Sequence, residues 1–277
     1  MREVFGTAVE EGRIGDRLWL YATYHCNLTC AYCLTESSPR IENRRTLSSE
    51  TMLRAAREAR EVGFTCIGIT GGEVFMLPWF AETLVELSQI LPTLTLTNAT
   101  LFTDKLLARL EPLADLEAAL QISLDSDVAG RNDELRGPES FAKVMDAIPR
   151  LLERRLRVRI ATTVEHQTPE ELASLCELHR RFGISDEDHV VRPVVRRGKA
   201  AIEGMGIALG PADVLPELTI TADGAFLHPF GPTVRHGRTD LDLLVSRQIA
   251  PLDVSAARFL RVVAGLPCGD DVVRNIR

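Results

Sequence analysis

Short apolar runs rich in β-branched residues alternate with longer stretches of helical period along most of the chain. The runs predict strands at RLWLYATY (17–24), TCIGIT (65–70), TLTLTN (93–98), AALQISL (118–124), VRIATTV (158–164) and DHVVRPVV (188–195). Between them, apolar residues recur at helical spacing near 49–62, 79–90, 103–111, 140–154 and 169–182. Ser48 or Ser49 suits the N-cap of the first of these helices, and Thr168 followed by Pro169 suits the start of the last. Six strand–helix units in series, joined by right-handed crossovers, predict an α/β protein with a parallel sheet. The pattern alone leaves open whether that sheet curls into a partial barrel or stays open and doubly wound.

From about residue 200 the alternation stops. AAIEGMGIALGPADVLPE is rich in Gly and Pro and reads as a linker. LTITADGAFLHPF then predicts two short strands around an Asp-Gly turn, and VSAARFLRVVAGLP a last amphipathic helix closed by Gly265 and Pro267. The expected organisation is an N-terminal extension over 1–16, a strand–helix domain over 17–199, and a small α+β appendage over 200–277.

With 277 residues, 45% of them hydrophobic, the chain can bury a substantial core. Its net charge of −7 argues against nucleic acid or an anionic membrane as a partner. The sequence contains no apolar run long enough to span a bilayer and no basic-then-apolar start, so a cytoplasmic location is expected. In a reducing compartment the six cysteines are read as metal ligands, reactive groups or small buried hydrophobes rather than as a disulfide framework.

Three of them, Cys26, Cys30 and Cys33, fall within HCNLTCAYCLTE, on a loop just past the first predicted strand. Buried packing is the plainer reading, which the polar flanks disfavour. A structural zinc normally takes four closed ligands and would need a distant His or Cys to complete this set. Thiolates also suit an iron–sulfur cluster, whose cubane form usually takes four; three leave one iron open to a substrate or cofactor.

At these residues the chain resembles the radical S-adenosylmethionine (radical SAM) superfamily, whose loop reads Cys, three residues, Cys, one residue, an aromatic, Cys. Cys26, Cys30, Tyr32 and Cys33 match every element. The resemblance implies a partial (β/α)6 TIM-like barrel and one 4Fe-4S cluster held by Cys26, Cys30 and Cys33. Its open iron would bind S-adenosylmethionine, with Tyr32 near the adenine. Further matches recur where barrels place their chemistry, at the C-terminal ends of strands. Gly71, Gly72 and Glu73 resemble the stretch that meets the SAM amino group, and Asn98 the polar residue at the third strand tip. Ser123 and Asp125, on one face of the fourth strand by alternation, resemble the pair that meets the SAM carboxylate and ribose. Arg136 is a candidate anion contact in the matching stretch that follows. Arg192, at the tip of the sixth strand, suits bidentate binding of a carboxylate or phosphate. Arg196, Arg197 and Lys199 beside it read equally as a solvated charge run.

Beyond 200 the chain resembles a degenerate SPASM or twitch appendage. His228 stands where a cluster thiol is common, His236 follows, and Cys268 is the remaining tail thiol. That implies a single cluster and a tail that shapes the substrate pocket, while Cys66 and Cys176 read as core residues.

The implied activity is cleavage of SAM to a 5′-deoxyadenosyl radical, which abstracts hydrogen from a peptide, amino-acid or sugar-like substrate in a biosynthetic pathway. A flavodoxin- or ferredoxin-type protein would donate the electron. With so few residues before 17, a peptide substrate would call for a separate carrier protein. Tyr24, Glu165 and His166 are candidates for proton or hydrogen-atom roles. The contrasting reading is a non-catalytic zinc or iron–sulfur interaction module, which has no need of the glycine and SLDS matches at strand ends. A B12-independent methyl transfer enzyme of the same superfamily would need further reactive cysteines at the mouth.

Overall fold

The structure, a computed structural model, describes residues 1–266. It opens with helix α1 (Arg2–Glu10). Then β1 (Arg17–Tyr21), α2 (Ser49–Val62), β2 (Cys66–Thr70), α3 (Phe80–Ile90), β3 (Thr93–Thr97), α4 (Asp104–Leu110) and β4 (Ala118–Ser123) alternate. They are followed by α5 (Ala129–Arg136), α6 (Ser140–Glu153), β5 (Arg157–Val164), α7 (Pro169–Arg181), β6 (His189–Pro193) and the short α8 (Lys199–Ile202). The six predicted strands and five predicted helices therefore form where periodicity puts them. Ser48 caps α2 by accepting from the Thr51 amide, and Thr168 opens α7 in a capping box with Glu171.

Strand order settles what the pattern left open. β1 to β6 pair in sequential order, each parallel to the next, with no reversal along the way. A doubly wound sheet reverses its order at a switch point and carries helices on both faces. Here every right-handed crossover advances in one direction, so the helices share one face and the sheet curls around the other. Leu18, Leu20, Ile67, Ile69, Leu120, Ile122 and Ile160 point outward into the main core beneath the helices. The intervening positions line a lumen, where Trp19, Leu94, Leu96 and Ala119 form a separate cluster. Gly68 makes space for that filling: a Cβ there would lie 2.4 Å from the Trp19 ring.

The tail joins the same sheet. β7 (Thr219–Thr221) runs parallel to β1 on its free edge, and β8 (Gly224–Phe226) and β11 (Leu244–Ser246) continue outward antiparallel. β7 and β8 are the expected hairpin. Between β8 and β11, β9 (Val234–Arg235) and β10 (Arg238–Thr239) form a separate small ribbon. The last described helix, α9 (Leu252–Ala264), lies against α2, its first amide donating to Glu58 (2.7 Å).

Glu217, just before β7, is buried at the N-terminal end of the barrel, where it accepts a hydrogen bond from the Trp19 indole (2.8 Å). Burial pushes its carboxyl from 4.5 up to about 7, outweighing the Arg17 guanidinium 3.9 Å away. The native chain therefore keeps a proton there between about pH 4.5 and 7, where the unfolded chain has released it. Stability falls as pH rises through that window, by roughly 3 kcal/mol for a shift of this size. Glu217→Gln, which preserves an acceptor for Trp19, is expected to flatten this component and to melt higher than the parent at pH 8. Thermal unfolding from pH 4.5 to 8 checks it, and a parallel pH profile in parent and variant would contradict it.

Candidate active site

The loop after β1 brings Cys26, Cys30 and Cys33 to the wall of the pocket at the C-terminal mouth of the barrel, and all three are free thiols. Around them the wall is built from strand tips: Gly71 and Gly72 after β2, Asn98 after β3, Ser123 ending β4, Thr163 on β5 and Arg192 on β6. Tyr32, Thr35, Thr97 and Arg136 add to its polar part, and Leu28, Leu34, Leu96, Val195 and Phe230 to its apolar part.

Close backbone packing holds the thiol loop in place. The amides of Gly72 and Glu73 donate to the carbonyls of Thr23 (2.7 Å) and His25 (2.8 Å). A Cβ on Gly72 would lie 2.1 Å from the His25 oxygen, and one on Gly71, at φ +151, 2.5 Å from that of Thr23. The two glycines therefore let the β2 turn lie against the thiol loop as well as line the pocket. From the far side, the Ala31 amide reaches Leu135 O (2.8 Å) and the Lys199 amide reaches Cys33 O (2.9 Å). Gly198, at φ +58, makes the second contact possible, because a Cβ there would meet Leu34 O at 2.2 Å. In the sequence, the one sign of this role is a glycine interrupting the basic run RRGK.

Glu73 and Asp125 work behind the wall. Glu73 is fully buried and accepts from Thr97 Oγ1 and the amides of Asn98 (2.7 Å) and Phe75 (3.1 Å), so it ties the β2 and β3 tips together. Burial raises its carboxyl above the usual range. Asp125, also fully buried, accepts from the Thr163 amide (2.8 Å), from Arg136 (3.1 Å) and from the Tyr32 hydroxyl, to which Arg136 also donates. The pairing fixes both Tyr32 and the Arg136 guanidinium at the wall. Arg192 has no hydrogen bond or ion pair within the described residues, and burial lowers its pKa.

Tyr24, Glu165 and His166 are not on this wall. Tyr24 is buried beneath Arg44, whose guanidinium lies 5.4 Å from its ring centroid. Glu165 accepts from the Gly206 amide (2.9 Å) and lines a second cavity with His166, Arg131 and Glu171. His228 is a packing residue: its ring is buried against Phe230 (4.3 Å) and accepts that residue's amide. Cys176 touches His189 (3.4 Å) between α7 and β6, and Cys66 lies on β2; both are half-buried. Cys268 lies outside the described residues.

The donor set fits an iron–sulfur cluster better than a single ion. Tetrahedral zinc draws its thiolates to about 2.3 Å from one point. Among the described residues no three His, Cys, Asp or Glu side chains converge that way. Burial pushes the Cys26 thiol up to about 12 and raises Cys30 as well, so without a bound cation these groups stay protonated. Donors already face the sulfurs: the Leu28 amide (3.4 Å) and Asn98 amide group (3.7 Å) at Cys26, and Thr35 Oγ1 (3.6 Å) at Cys33.

The radical SAM superfamily model matches residues 20–179, the span that carries these features. The chain belongs to the radical SAM superfamily. This radical SAM enzyme accordingly works with a 4Fe-4S cluster and S-adenosylmethionine, and the zinc-module reading falls away. Over 163 residues it is 32% identical to the antilisterial bacteriocin subtilosin biosynthesis protein AlbA of Bacillus subtilis, covering 58% of this chain and 36% of that one. Over 172 residues it is 28% identical to a GTP 3′,8-cyclase of Clostridium perfringens, covering 60% and 52%. The chain thus spans about a third to a half of the length of these curated relatives. Among solved structures, Streptococcus suis SuiB bound to precursor peptide SuiA superposes with a TM-score of 0.58 at 20% identity, over 70% of this chain and 43% of that one, a likeness of fold. No helix among the described residues is long and apolar enough to cross a membrane.

Thr35 Oγ1 and Cys33 Sγ lie 3.6 Å apart, and if Cys33 ligates the cluster as a thiolate it can only accept, which would make Thr35 the donor. Its hydroxyl is itself held by Tyr21 Oη (2.8 Å) and Ser37 Oγ (2.9 Å). Hydrogen bonds to cluster sulfurs raise reduction potential. Thr35→Val is therefore expected to shift the cluster midpoint to a more negative value, and Tyr21→Phe by less. An EPR-monitored redox titration reads both, and an unchanged midpoint in Thr35→Val would contradict the assignment.

Proposed function

We propose that this enzyme modifies a peptide in the cytoplasm, abstracting a hydrogen atom during maturation of a ribosomally made product. The observation that carries the proposal is the convergence of three free thiols, the Gly71–Gly72 backbone, Ser123 and two guanidiniums on one partly apolar pocket. Cys26, Cys30 and Cys33 would hold the cluster. Tyr32, Gly71, Gly72, Asn98, Ser123 and Arg136 would orient SAM, with Glu73 and Asp125 fixing that wall from behind. Bound there, the two cofactors supply one-electron reductive chemistry that generates an organic radical. The chain's own part is positioning and exclusion of water: Leu34, Val195 and Phe230 shield the reacting region, and Arg192 offers an unspent bidentate donor to a carboxylate.

The names of the relatives support a peptide: AlbA belongs to bacteriocin biosynthesis, and SuiB was crystallised with a precursor peptide. A nucleoside triphosphate, as in the cyclase relative, fits less well. Among the described residues only two cations, Arg136 and Arg192, are on the wall, and the first is already paired with Asp125. The electron would come from a flavodoxin- or ferredoxin-type donor. Incubating the reconstituted enzyme with SAM and deuterated peptides tests the substrate class. Deuterium appearing in 5′-deoxyadenosine supports it; transfer from sugar or nucleotide substrates with none from peptides would overturn it.

A further inference from the structure

The β9–β10 ribbon has no part in the pocket chemistry, yet it is fastened to the thiol loop. The Val234 amide donates to Leu34 O (3.0 Å), one residue past Cys33. The Glu36 carboxylate accepts the amides of His236 (2.7 Å) and Gly237 (2.9 Å) at the ribbon tip. Arg44 donates to Gly237 O (2.7 Å) and to Thr239. So the tip is a rigid extension of the segment that follows the last cluster ligand.

Its charge is opposite to that of the chain as a whole. Residues 235–238 are exposed, and Arg235 and Arg238, directly opposite each other in the ribbon, have no acidic partner among the described residues. Among the described residues Arg44 donates to neutral oxygens only, while Glu36 accepts backbone amides. On the other flank of the loop Lys199 Nζ caps the carbonyl of exposed Thr29 (3.0 Å), again a neutral partner. A chain of net charge −7 thus presents a group of cations, without acidic partners among the described residues, beside the loop that carries Cys30 and Cys33.

We propose that the β9–β10 tip, with Arg44 and Lys199, is the docking surface for an acidic one-electron donor protein. The proposal rests on the radical SAM reading and adds where the electron enters. One electron passes from the donor, which is oxidised, to the cluster, which is reduced; no bond or proton is exchanged. Complementary charge at such a surface acts mainly on association rate and is screened by salt.

The test is 5′-deoxyadenosine formation by the reconstituted full chain, driven either by dithionite or by a reduced flavodoxin. Arg235→Glu/Arg238→Glu is expected to retain its dithionite rate within twofold and to lose tenfold or more of its flavodoxin rate. The parent's flavodoxin rate should also fall with added salt. Arg57→Glu/Arg60→Glu on the outer face of α2, an equal charge reversal, should leave both rates unchanged. Equal flavodoxin rates in parent and ribbon variant would overturn the proposal. So would an equal loss in the α2 variant, or a fall in both arms, which would assign the arginines to holding the site together. A parent that cleaves no SAM with dithionite would overturn the functional reading itself, a different and recognisable failure.

Discussion

Replacing Cys30 with serine is expected to lower SAM cleavage by more than about a hundredfold, beyond the 10–100-fold typical of losing an outer-shell partner of a metal site. The same should hold for Cys26 and Cys33. Cys30 tests it most sharply because its sulfur has the least structural work, a single weak contact to the Arg136 carbonyl (3.6 Å) that a hydroxyl can reproduce. The metal-free variant should therefore melt close to the metal-free parent. Iron content and 5′-deoxyadenosine formation, measured beside a melting curve, separate the two effects. Cleavage retained within tenfold would remove Cys30 from the ligand set.

Arg136→Ala is expected to destabilise the metal-free protein by about 3 kcal/mol. Removing one partner of a buried pair typically costs 3–5 kcal/mol. The lower end applies because Asp125 keeps the Thr163 amide and Tyr32 as donors. For a chain of this size that amounts to a fall of roughly 6–12 °C in the melting midpoint. The pair Asp125→Asn/Arg136→Met should cost less than the sum of its single changes, since neither buried charge is then left alone. Strict additivity would mean that the two residues do not act as the unit their geometry describes.

Most strand and helix positions from 17 to 195 were legible because the buried strands are short apolar runs and the longer helices, such as α2 and α6, carry a full apolar stripe. The barrel was not legible from periodicity, since sequential and doubly wound sheets share one alternation; it emerges only in the pairing order. α1 was missed because only Phe5 and Ala8 are buried along it, with Phe5 against Phe64 (4.3 Å). α5, AGRNDELR, carries almost no apolar period and is held by Asn132 and Arg136 turning inward instead. The two-residue strands β9 and β10 are too short for any pattern.

At the site, the thiol spacing and the alternation placing Ser123 and Asp125 together, with Leu124 outward in the core, could be read directly. What could not be read was which polar groups face the pocket and which brace it. Glu73 and Asp125 look alike in sequence to wall residues, and only burial with full hydrogen bonding shows them acting from behind. Thr35 and Gly198 acquire their roles from contacts across the fold that no local spacing encodes.

The most direct test of the account is iron and labile sulfide per chain after anaerobic reconstitution, followed by SAM cleavage with dithionite. About four of each are expected, with 5′-deoxyadenosine formed. One bound zinc, no sulfide and no cleavage would contradict it.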